Sequence, residues 1–235
     1  MTLSIIIPTL NEEKYLPRLL QSIKEQQFSD YEVIVSDANS DDQTQRVARE
    51  WGARVVVDSR RHPSYQRNTG AKAANGEILL FLDADTVLPN DFLAKTMSEF
   101  ISRRLDGAGF YLRFNSKNKF YIVYRFIYNG VAWAAQRFKP VVVGAGIIVT
   151  KKMHEALNGF DETIFIGEDH EYCDRILKRG RFGLIKSRPI YFSVRRMEKE
   201  GKIKMLFKWL YGTLYVLFKG PIRKKIMRYD FGDHR

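Results

Sequence analysis

The sequence has a single cysteine, Cys173, and only 7 prolines among its 235 residues. One cysteine excludes an internal disulfide framework and favours a reducing compartment. Few prolines and 45% hydrophobic residues exclude a disordered or collagen-like chain and are typical of a globular core. No basic leader precedes the first strand-like segment, so we expect a cytoplasmic protein without a signal peptide. Both glycine-rich phosphate loops, GxGxxG and the P-loop, are also missing, so any phosphate must be bound by other groups.

Positive charge is concentrated at the C-terminal end. Residues 195–235 hold 12 Lys/Arg and 4 Asp/Glu, so they contribute +8 of the net charge of +12. Within them, segment 203–219 is apolar except for a narrow polar stripe, which predicts an amphipathic helix. Because a membrane span needs about 20 apolar residues, we expect this helix to lie on an anionic membrane surface instead. Nucleic-acid surfaces carry basic residues on a polar face, so we expect no nucleic-acid partner.

Strand-like and helix-like segments alternate in the first half of the chain. Apolar, β-branched runs predict strands at 4–8, 31–37, 53–58 and 77–83. Helices are predicted after Asn11 as the cap, over about residues 42–51, and before Gly76. This alternation predicts a mainly parallel sheet with helices on both faces.

The second half carries a different pattern. The aromatic-rich segment 119–138 predicts a helix, 141–150 predicts strand, glycine turn and strand, and 159–180 predicts a loop and then a helix ending at Gly180. No linker-like composition separates the halves, so we expect them to share one sheet in one domain, residues 1–194.

Polar segments follow the first, second and fourth predicted strands: PTLNE, SDANSDD and DADT. In open α/β sheets, ligands bind at the carboxyl ends of the strands, so these segments should meet at one rim. Two of the three bring carboxylates to it.

Asp83 and Asp85 lie two residues apart at the end of the fourth predicted strand. Like charges at this spacing repel each other unless a cation joins them, and carboxylate oxygens suit Mg2+ or Mn2+. Two ligands are too few for a closed metal site, so the pair predicts a metal completed by water and by the phosphates of a bound nucleoside diphosphate. A loop that caps the next helix is the alternative.

Two further residues could contact such a ligand. Asp37 can accept hydrogen bonds from a base or ribose, and Arg67 can reach a phosphate, with Gly70 allowing close backbone approach. The alternatives are an Asx turn for Asp37 and a solvated helix face for Arg67.

Five segments in order resemble the motifs of family 2 glycosyltransferases with the GT-A fold: SIIIPTLNEEKYLPRLLQSI, VSDANSDDQT, RNTGAKAANGEILLFLDAD, VGAGIIVTKK and GFDETIFIGEDHEYCDRILKRG. The resemblance covers roughly residues 3–196. Within the family, the sequence is similar in particular to branches that include polyprenyl-phosphate glycosyltransferases. It implies a single Rossmann-like α/β/α sandwich, here followed by the C-terminal amphipathic segment 195–235. Residues 1–107 would form the half that binds the nucleotide sugar, and 108–194 the acceptor half.

The resemblance also implies roles for individual residues. The nucleotide-binding positions would be Pro8, Thr9, Asn11, Glu12, Asp37, Arg67, Asp83 and Ala84. Asp83 and Asp85 would be the DXD motif that holds Mn2+ or Mg2+, and Asp169 the catalytic base. Glu168, Arg195 and Arg196 would contact the acceptor or its phosphate, although membrane-surface charge explains the two arginines equally well.

The activity implied is that of an inverting, metal-dependent hexosyltransferase. It would move a sugar from a UDP- or GDP-linked donor to a glycan hydroxyl or a polyprenyl-phosphate acceptor, on the cytoplasmic face of the membrane. A phosphate acceptor would need no base, so Asp169 would then orient other groups. A nucleotidyltransferase and a basic nucleic-acid-binding protein are the competing interpretations.

Overall fold

The computed structural model describes residues 2–114, 116–142 and 144–194, and 197–198, 201–202, 204, 207, 211–212, 215 and 220–223 of the tail. Its strands are β1 (Leu3–Thr9), β2 (Tyr31–Asp37), β3 (Arg54–Val57), β4 (Ile78–Leu82), β5 (Gly107–Phe114), β6 (Gly146–Thr150) and β7 (Phe182–Phe192). Its helices are α1 (Leu16–Lys24), α2 (Thr44–Glu50), α3 (Pro63–Ala73), α4 (Phe92–Ser102), α5 (Lys119–Ala135), α6 (Lys151–Ala156) and α7 (Glu168–Arg179).

The named strands form one sheet in the order β3-β2-β1-β4-β6-β5-β7. The β1–β2, β1–β4, β2–β3 and β5–β7 pairs are parallel, whereas β6 runs antiparallel to both β4 and β5. Strands from both halves of the chain therefore share a mainly parallel sheet, as the sequence predicts.

The centre of the sheet is covered on both faces. In β4 every side chain from Ile78 to Leu82 is fully buried, and in β1 the same holds from Leu3 to Ile7. Side chains alternate between the two faces of a strand, so continuous burial requires helices on both sides. The apolar runs of the sequence thus become the core of a helix–sheet–helix sandwich.

The predicted cap of the first helix is wrong. Helix α1 begins at Leu16 with Tyr15 before it, Pro17 in its first turn and no side-chain cap. Asn11 adopts a left-handed backbone conformation with φ 56°, and its amide oxygen accepts a hydrogen bond from the backbone N–H of Asp41 at 2.8 Å. The residue therefore joins two loops instead of starting a helix.

The first of the two strands predicted over 141–150 is also wrong, because among the described residues of this segment (141–142 and 144–150) only Gly146–Thr150 is a strand. Two backbone carbonyls just before this strand accept hydrogen bonds from the site. The carbonyl of Gly144 accepts from Arg67 at 3.3 Å, and that of Ala145 accepts from the backbone N–H of Asp83 at 3.3 Å.

Part of the tail returns to the domain. Ile222 forms a β-bridge with Ile166, and Arg223 forms a 2.9 Å ion pair with Asp161. The predicted helix over 203–219 lies for the most part outside the described residues and stays a prediction. Among the residues that are described, no helix is long and apolar enough to cross a membrane.

Candidate active site

The carboxyl ends of three neighbouring strands form the rim of the site. Strand β1 lies between β2 and β4 and is parallel to both, so the chain leaves all three strands on the same edge. Thr9 and Asp37 are paired in register at this edge, and Asp83 follows directly after β4. The predicted convergence of the three polar segments is thus confirmed.

Asp37 is fully buried, and its carboxylate is saturated with hydrogen bonds. It accepts from the Thr9 hydroxyl at 2.8 Å, from the backbone N–H and hydroxyl of Ser40 at 2.8 and 2.6 Å, and from the Gln45 amide at 2.9 Å. In this state the carboxylate holds the ends of β1 and β2 together. Its contact with a base stays a prediction, and that contact would require one of these hydrogen bonds to open.

The backbone after β1 is bonded to side chains of the segment after β2. The N–H of Asn11 donates to the Ser40 hydroxyl at 2.9 Å, and the N–H of Glu12 donates to the Thr44 hydroxyl at 2.8 Å. Pro8 lies one residue earlier than Thr9, opposite Ser36. The positions expected to surround a nucleotide therefore form one connected surface.

Arg67 lies at the centre of the site's charge network. Helix α3 carries it into the interior, where its side chain is only 3% exposed. Its guanidinium donates to Glu168 at 2.9 Å and to Asp83 at 3.2 Å, and it stands 5.3 Å from the Phe160 ring. Burial alone would lower the pKa of Arg67, but nearby Asp83, Glu168 and Asp169 raise it instead, so the charge is retained.

For this helix, one alternative is excluded and one expectation needs correction. Arg67 is not on a solvated face; it is a buried ion-pair partner, and a direct phosphate contact stays a prediction. The close approach made possible by Gly70 is to the sheet, since a Cβ at Gly70 would lie 2.4 Å from the Ile6 side chain. The glycine lets α3 pack tightly on β1, and this packing fixes the position of Arg67 in the interior.

Asp169 lies in the first turn of α7, which begins at Glu168. Gly167 precedes the helix with φ 88°, a left-handed conformation that favours glycine. A Cβ at Gly144 would lie 2.8 Å from the Arg67 guanidinium and 3.3 Å from the Asp169 carboxylate, so the backbone at 144 passes close to both groups. The GED segment and the DAD segment, 84 positions apart, thus meet around Arg67.

Glu168 belongs to this network as well. Its side chain is 13% exposed and paired with Arg67. The buried Arg67 cation therefore offsets the like-charge repulsion between Glu168 and the neighbouring Asp169. Its role toward an acceptor stays a prediction.

Asp83 and Asp85 have the donor chemistry of a hard-cation site. Both are partly exposed at the rim, Asp83 with 35% of its side chain, and Ala84 between them is buried. Within the described part of the chain, no group of three or more His, Cys, Asp or Glu side chains could hold a metal ion. The residues fit a metal whose remaining ligands come from water and a bound phosphate.

The sequence interpretation missed two contacts around the site. Asn68, next to Arg67, binds the backbone N–H of Phe160 at 2.8 Å and its carbonyl at 2.9 Å, and so fixes the loop that leads to Asp169. His170 accepts at Nδ1 from the backbone N–H of Val142 at 3.3 Å. Neither contact has a periodic or motif-like signal in the sequence. Arg195 and Arg196 lie outside the described residues.

The sequence model of glycosyl transferase family 2 matches residues 4–149. The chain belongs to this family. The match includes Asp83 and Asp85 and ends before Glu168 and Asp169. Membership favours the glycosyltransferase interpretation over the nucleotidyltransferase and nucleic-acid-binding ones.

A curated relative from Methanococcus voltae is 28% identical over 199 residues. It is the dolichyl N-acetyl-alpha-D-glucosaminyl phosphate 3-beta-D-2,3-diacetamido-2,3-dideoxy-beta-D-glucuronosyltransferase. The alignment covers 76% of this chain and 62% of that protein, so the chain spans less than two thirds of its relative.

Solved structures confirm the GT-A fold. TarS 1-349 of Staphylococcus aureus, in complex with UDP-GlcNAc, is 22% identical with a TM-score of 0.66 and covers 82% of this chain and 58% of that one. A mannosyltransferase from Pyrobaculum calidifontis, in complex with GDP-Man and Mn2+, is 24% identical with a TM-score of 0.67 and covers 78% and 54%. At these identities the likeness supports the fold.

Proposed function

We propose that this protein transfers a sugar from a UDP- or GDP-linked donor to an acceptor at a membrane surface, with inversion and with a divalent metal. The observation that carries the proposal is the meeting of Asp83, Glu168 and Asp169 around the buried Arg67 at the carboxyl edge of the sheet. A carboxylate pair that can bind a metal and a base on the same rim are what sugar transfer from a diphosphate donor to a hydroxyl acceptor uses.

The donor class rests on the rim and on the structural relatives. Those relatives bind UDP-GlcNAc in one case and GDP-Man in the other. The connected loops after β1 and β2 offer a surface for the base and ribose, with Thr9, Asn11 and Glu12 at the positions that the family resemblance assigns to the nucleotide.

The metal would be held by Asp83 and Asp85. When bound, Mn2+ or Mg2+ acts as a Lewis acid that neutralises the charge growing on the departing diphosphate. The mannosyltransferase from P. calidifontis contains Mn2+, which supports this ion over Mg2+. Arg67 holds one carboxylate oxygen of Asp83 and so orients the side chain for this task.

The reaction itself is carried by the acceptor and Asp169. The acceptor oxygen bonds to the anomeric carbon as the bond from that carbon to the diphosphate breaks on the opposite face. Asp169 takes the hydroxyl proton as general base. Asp169 lies in the first turn of α7, where the N-terminal end of the helix carries partial positive charge.

The acceptor is a hydroxyl of a lipid-linked glycan or a polyprenyl phosphate. Support comes from the M. voltae relative, whose name describes a dolichyl-phosphate-linked acceptor. Arg195 and Arg196 would bind the phosphate, and segment 203–219 would lie on the anionic membrane. The site would then act at the cytoplasmic face.

Ligand-dependent stabilisation tests the proposal. The melting temperature should be measured with UDP-, GDP- and dTDP-sugars, each with and without Mn2+, because a ligand that binds the folded state raises it by mass action. We expect a UDP- or GDP-sugar to raise it only, or mainly, with Mn2+. No shift with any nucleotide sugar would contradict the proposed function.

The base is tested by Asp169→Asn, which keeps size and removes the proton acceptor. We expect nucleotide-sugar binding to be unchanged while kcat on a hydroxyl acceptor falls about 100-fold or more. Asp174→Asn, five residues further along α7 and paired with Lys178, is the matched control and should keep its rate. A normal rate for Asp169→Asn would place the base elsewhere or mean a phosphate acceptor.

A further inference from the structure

Helix α5 has two faces of different character. One face is buried on the domain through Tyr121, Tyr124, Tyr128 and Ala132. Asn129 secures it to β5 by binding the backbone N–H and carbonyl of Leu112 at 2.9 and 3.0 Å. Only some of the aromatic residues of this segment therefore belong to the core.

The opposite face of α5 and the turn after it expose large apolar side chains: Ile122 (39%), Val123 (56%), Phe126 (66%), Ile127 (64%), Val131 (44%), Trp133 (62%) and Phe138 (83%). Soluble monomers rarely expose such a contiguous apolar surface unless it binds something. We call these seven residues the α5 face.

The charge around the α5 face has one sign. Residues 107–154 contain eight Lys/Arg and no Asp or Glu. Lys117 and Lys119 are exposed just before or at the start of the helix, and Arg137 is exposed just after it. The guanidinium of Arg125 lies 4.8 Å from the Phe126 ring, so a cation accompanies the face itself.

We propose that the α5 face docks on an anionic lipid bilayer, inserting its aromatic and aliphatic side chains between headgroups that its cations neutralise. Helices that lie in the membrane interface combine an apolar face that includes Trp or Phe with flanking Lys and Arg. A second copy of the chain fits less well, because a symmetric dimer through this face would bring two like-charged surfaces together.

The α5 face lies close to the site and to the tail, and this location also supports docking on a membrane. The Tyr128 hydroxyl, on the buried side of the helix, donates to the carbonyl of Val141 at 3.4 Å, next to the segment that contacts Arg67 and Asp169. Lys202, at the start of the basic tail, stands 5.3 Å from the Tyr121 ring. The inference deepens the proposed function, which supplies the reason for a membrane, but it concerns a surface that the transfer chemistry does not use.

Vesicle flotation of the full chain tests the proposal. We expect binding to phosphatidylcholine vesicles containing phosphatidylglycerol, little binding to phosphatidylcholine alone, and an affinity about tenfold or more lower for Phe126→Ser/Ile127→Ser. Ile101→Ser, which changes a 47% exposed isoleucine on α4, is the control and should bind like the wild type. Equal binding of the double variant, or no binding of the wild type, would overturn the proposal.

Tryptophan fluorescence separates docking through α5 from docking through the tail alone. With Trp51 and Trp209 changed to phenylalanine, Trp133 is the single reporter. We expect its emission to shift to shorter wavelength on vesicles and to be quenched by nitroxide-labelled lipid. Unchanged emission from vesicle-bound protein would overturn the proposal, as would a wild-type dimer that the double variant converts to monomer without loss of vesicle binding.

The two proposals can fail separately. If Phe126→Ser/Ile127→Ser binds a nucleotide sugar normally and vesicles normally, the α5 proposal fails and the transferase proposal stands. If vesicle binding depends on the α5 face but no nucleotide sugar stabilises the protein, the transferase proposal fails and the docking surface stands.

Discussion

Arg67 determines the charge balance of the site at the scale of single residues. Its buried guanidinium contacts Asp83, from the DAD segment, and Glu168, from the GED segment. A buried ion pair contributes little net stability when complete, but removing one partner leaves the others as uncompensated charges. The residue therefore couples the proposed metal position to the proposed base.

Arg67→Met should lower the free energy of unfolding by about 3 kcal/mol, because Asp83 and Glu168 then lose their common cation. Adding Glu168→Gln should recover part of that loss. The matched control is Arg61→Met, which breaks an exposed pair with Asp41 and should cost less than about 1 kcal/mol. Urea denaturation measures all three, and equal losses for Arg67→Met and Arg61→Met would contradict the buried network.

At the scale of elements, α3 and the loop before α7 act as one unit. Consecutive residues of α3 reach this region: Arg67 binds Glu168, and Asn68 binds the backbone of Phe160 and the carboxylate of Glu162. The tail reinforces the same loop through the bridge between Ile222 and Ile166. The position of Asp169 thus depends on side chains from elements far away in sequence.

Asn68→Ala should destabilise the protein by about 1–3 kcal/mol, since it leaves a buried N–H and carbonyl of Phe160 unsatisfied. We also expect sugar transfer to slow beyond the loss of folded protein, because the loop that leads to Asp169 loosens. Asn129→Ala removes a similar backbone clamp on Leu112, away from the rim, and serves as the control. We expect the two variants to lose similar stability, and only Asn68→Ala to lose transfer rate. An unchanged transfer rate in Asn68→Ala would refute the positioning role.

At the scale of the whole molecule, His154 links the stability of the fold to pH. The residue is 7% exposed, and its ring lies tilted against the rings of Phe81 and Phe160 and contacts the Tyr172 hydroxyl at 2.7 Å. Burial, and secondarily the Arg175 charge, lower the pKa of His154 from 6.5 to about 4. The unfolded chain therefore binds a proton that the folded protein does not, and this contribution to stability is lost as the pH falls from 6.5 toward 4.

From pH 7 to pH 5, His154 should account for about 2 kcal/mol of lost stability. His154→Gln removes the titrating group, so its free energy of unfolding should fall less over the same range, although it begins lower. Parallel pH profiles for the two proteins, measured by urea denaturation, would show that the histidine is not kept neutral by the fold.

The sequence predicts the sheet better than it predicts the site. Continuous apolar runs such as ILLFL are typical of strands buried on both faces, and strand–helix alternation then orders them. Asp83 and Asp169 were identified by family motifs, but their link through Arg67 depends on long-range packing that has no period in the sequence. The Asn11 cap and the strand before Gly144 were wrong for the same reason, since their backbone groups bond to distant loops.

Calorimetric titration of a nucleotide sugar, with and without Mn2+, into wild-type protein and Asp85→Ala tests most directly whether the rim after β4 is a metal-dependent donor site. The donor is the one that gives the largest thermal shift, and Asp174→Ala is the control carboxylate. We expect Mn2+ to raise the affinity of the wild type and of the control for the nucleotide sugar by about tenfold or more. The affinity of Asp85→Ala should be the same with and without Mn2+. Equal affinity with and without Mn2+ in the wild type, or a metal effect that survives in Asp85→Ala, would contradict the account.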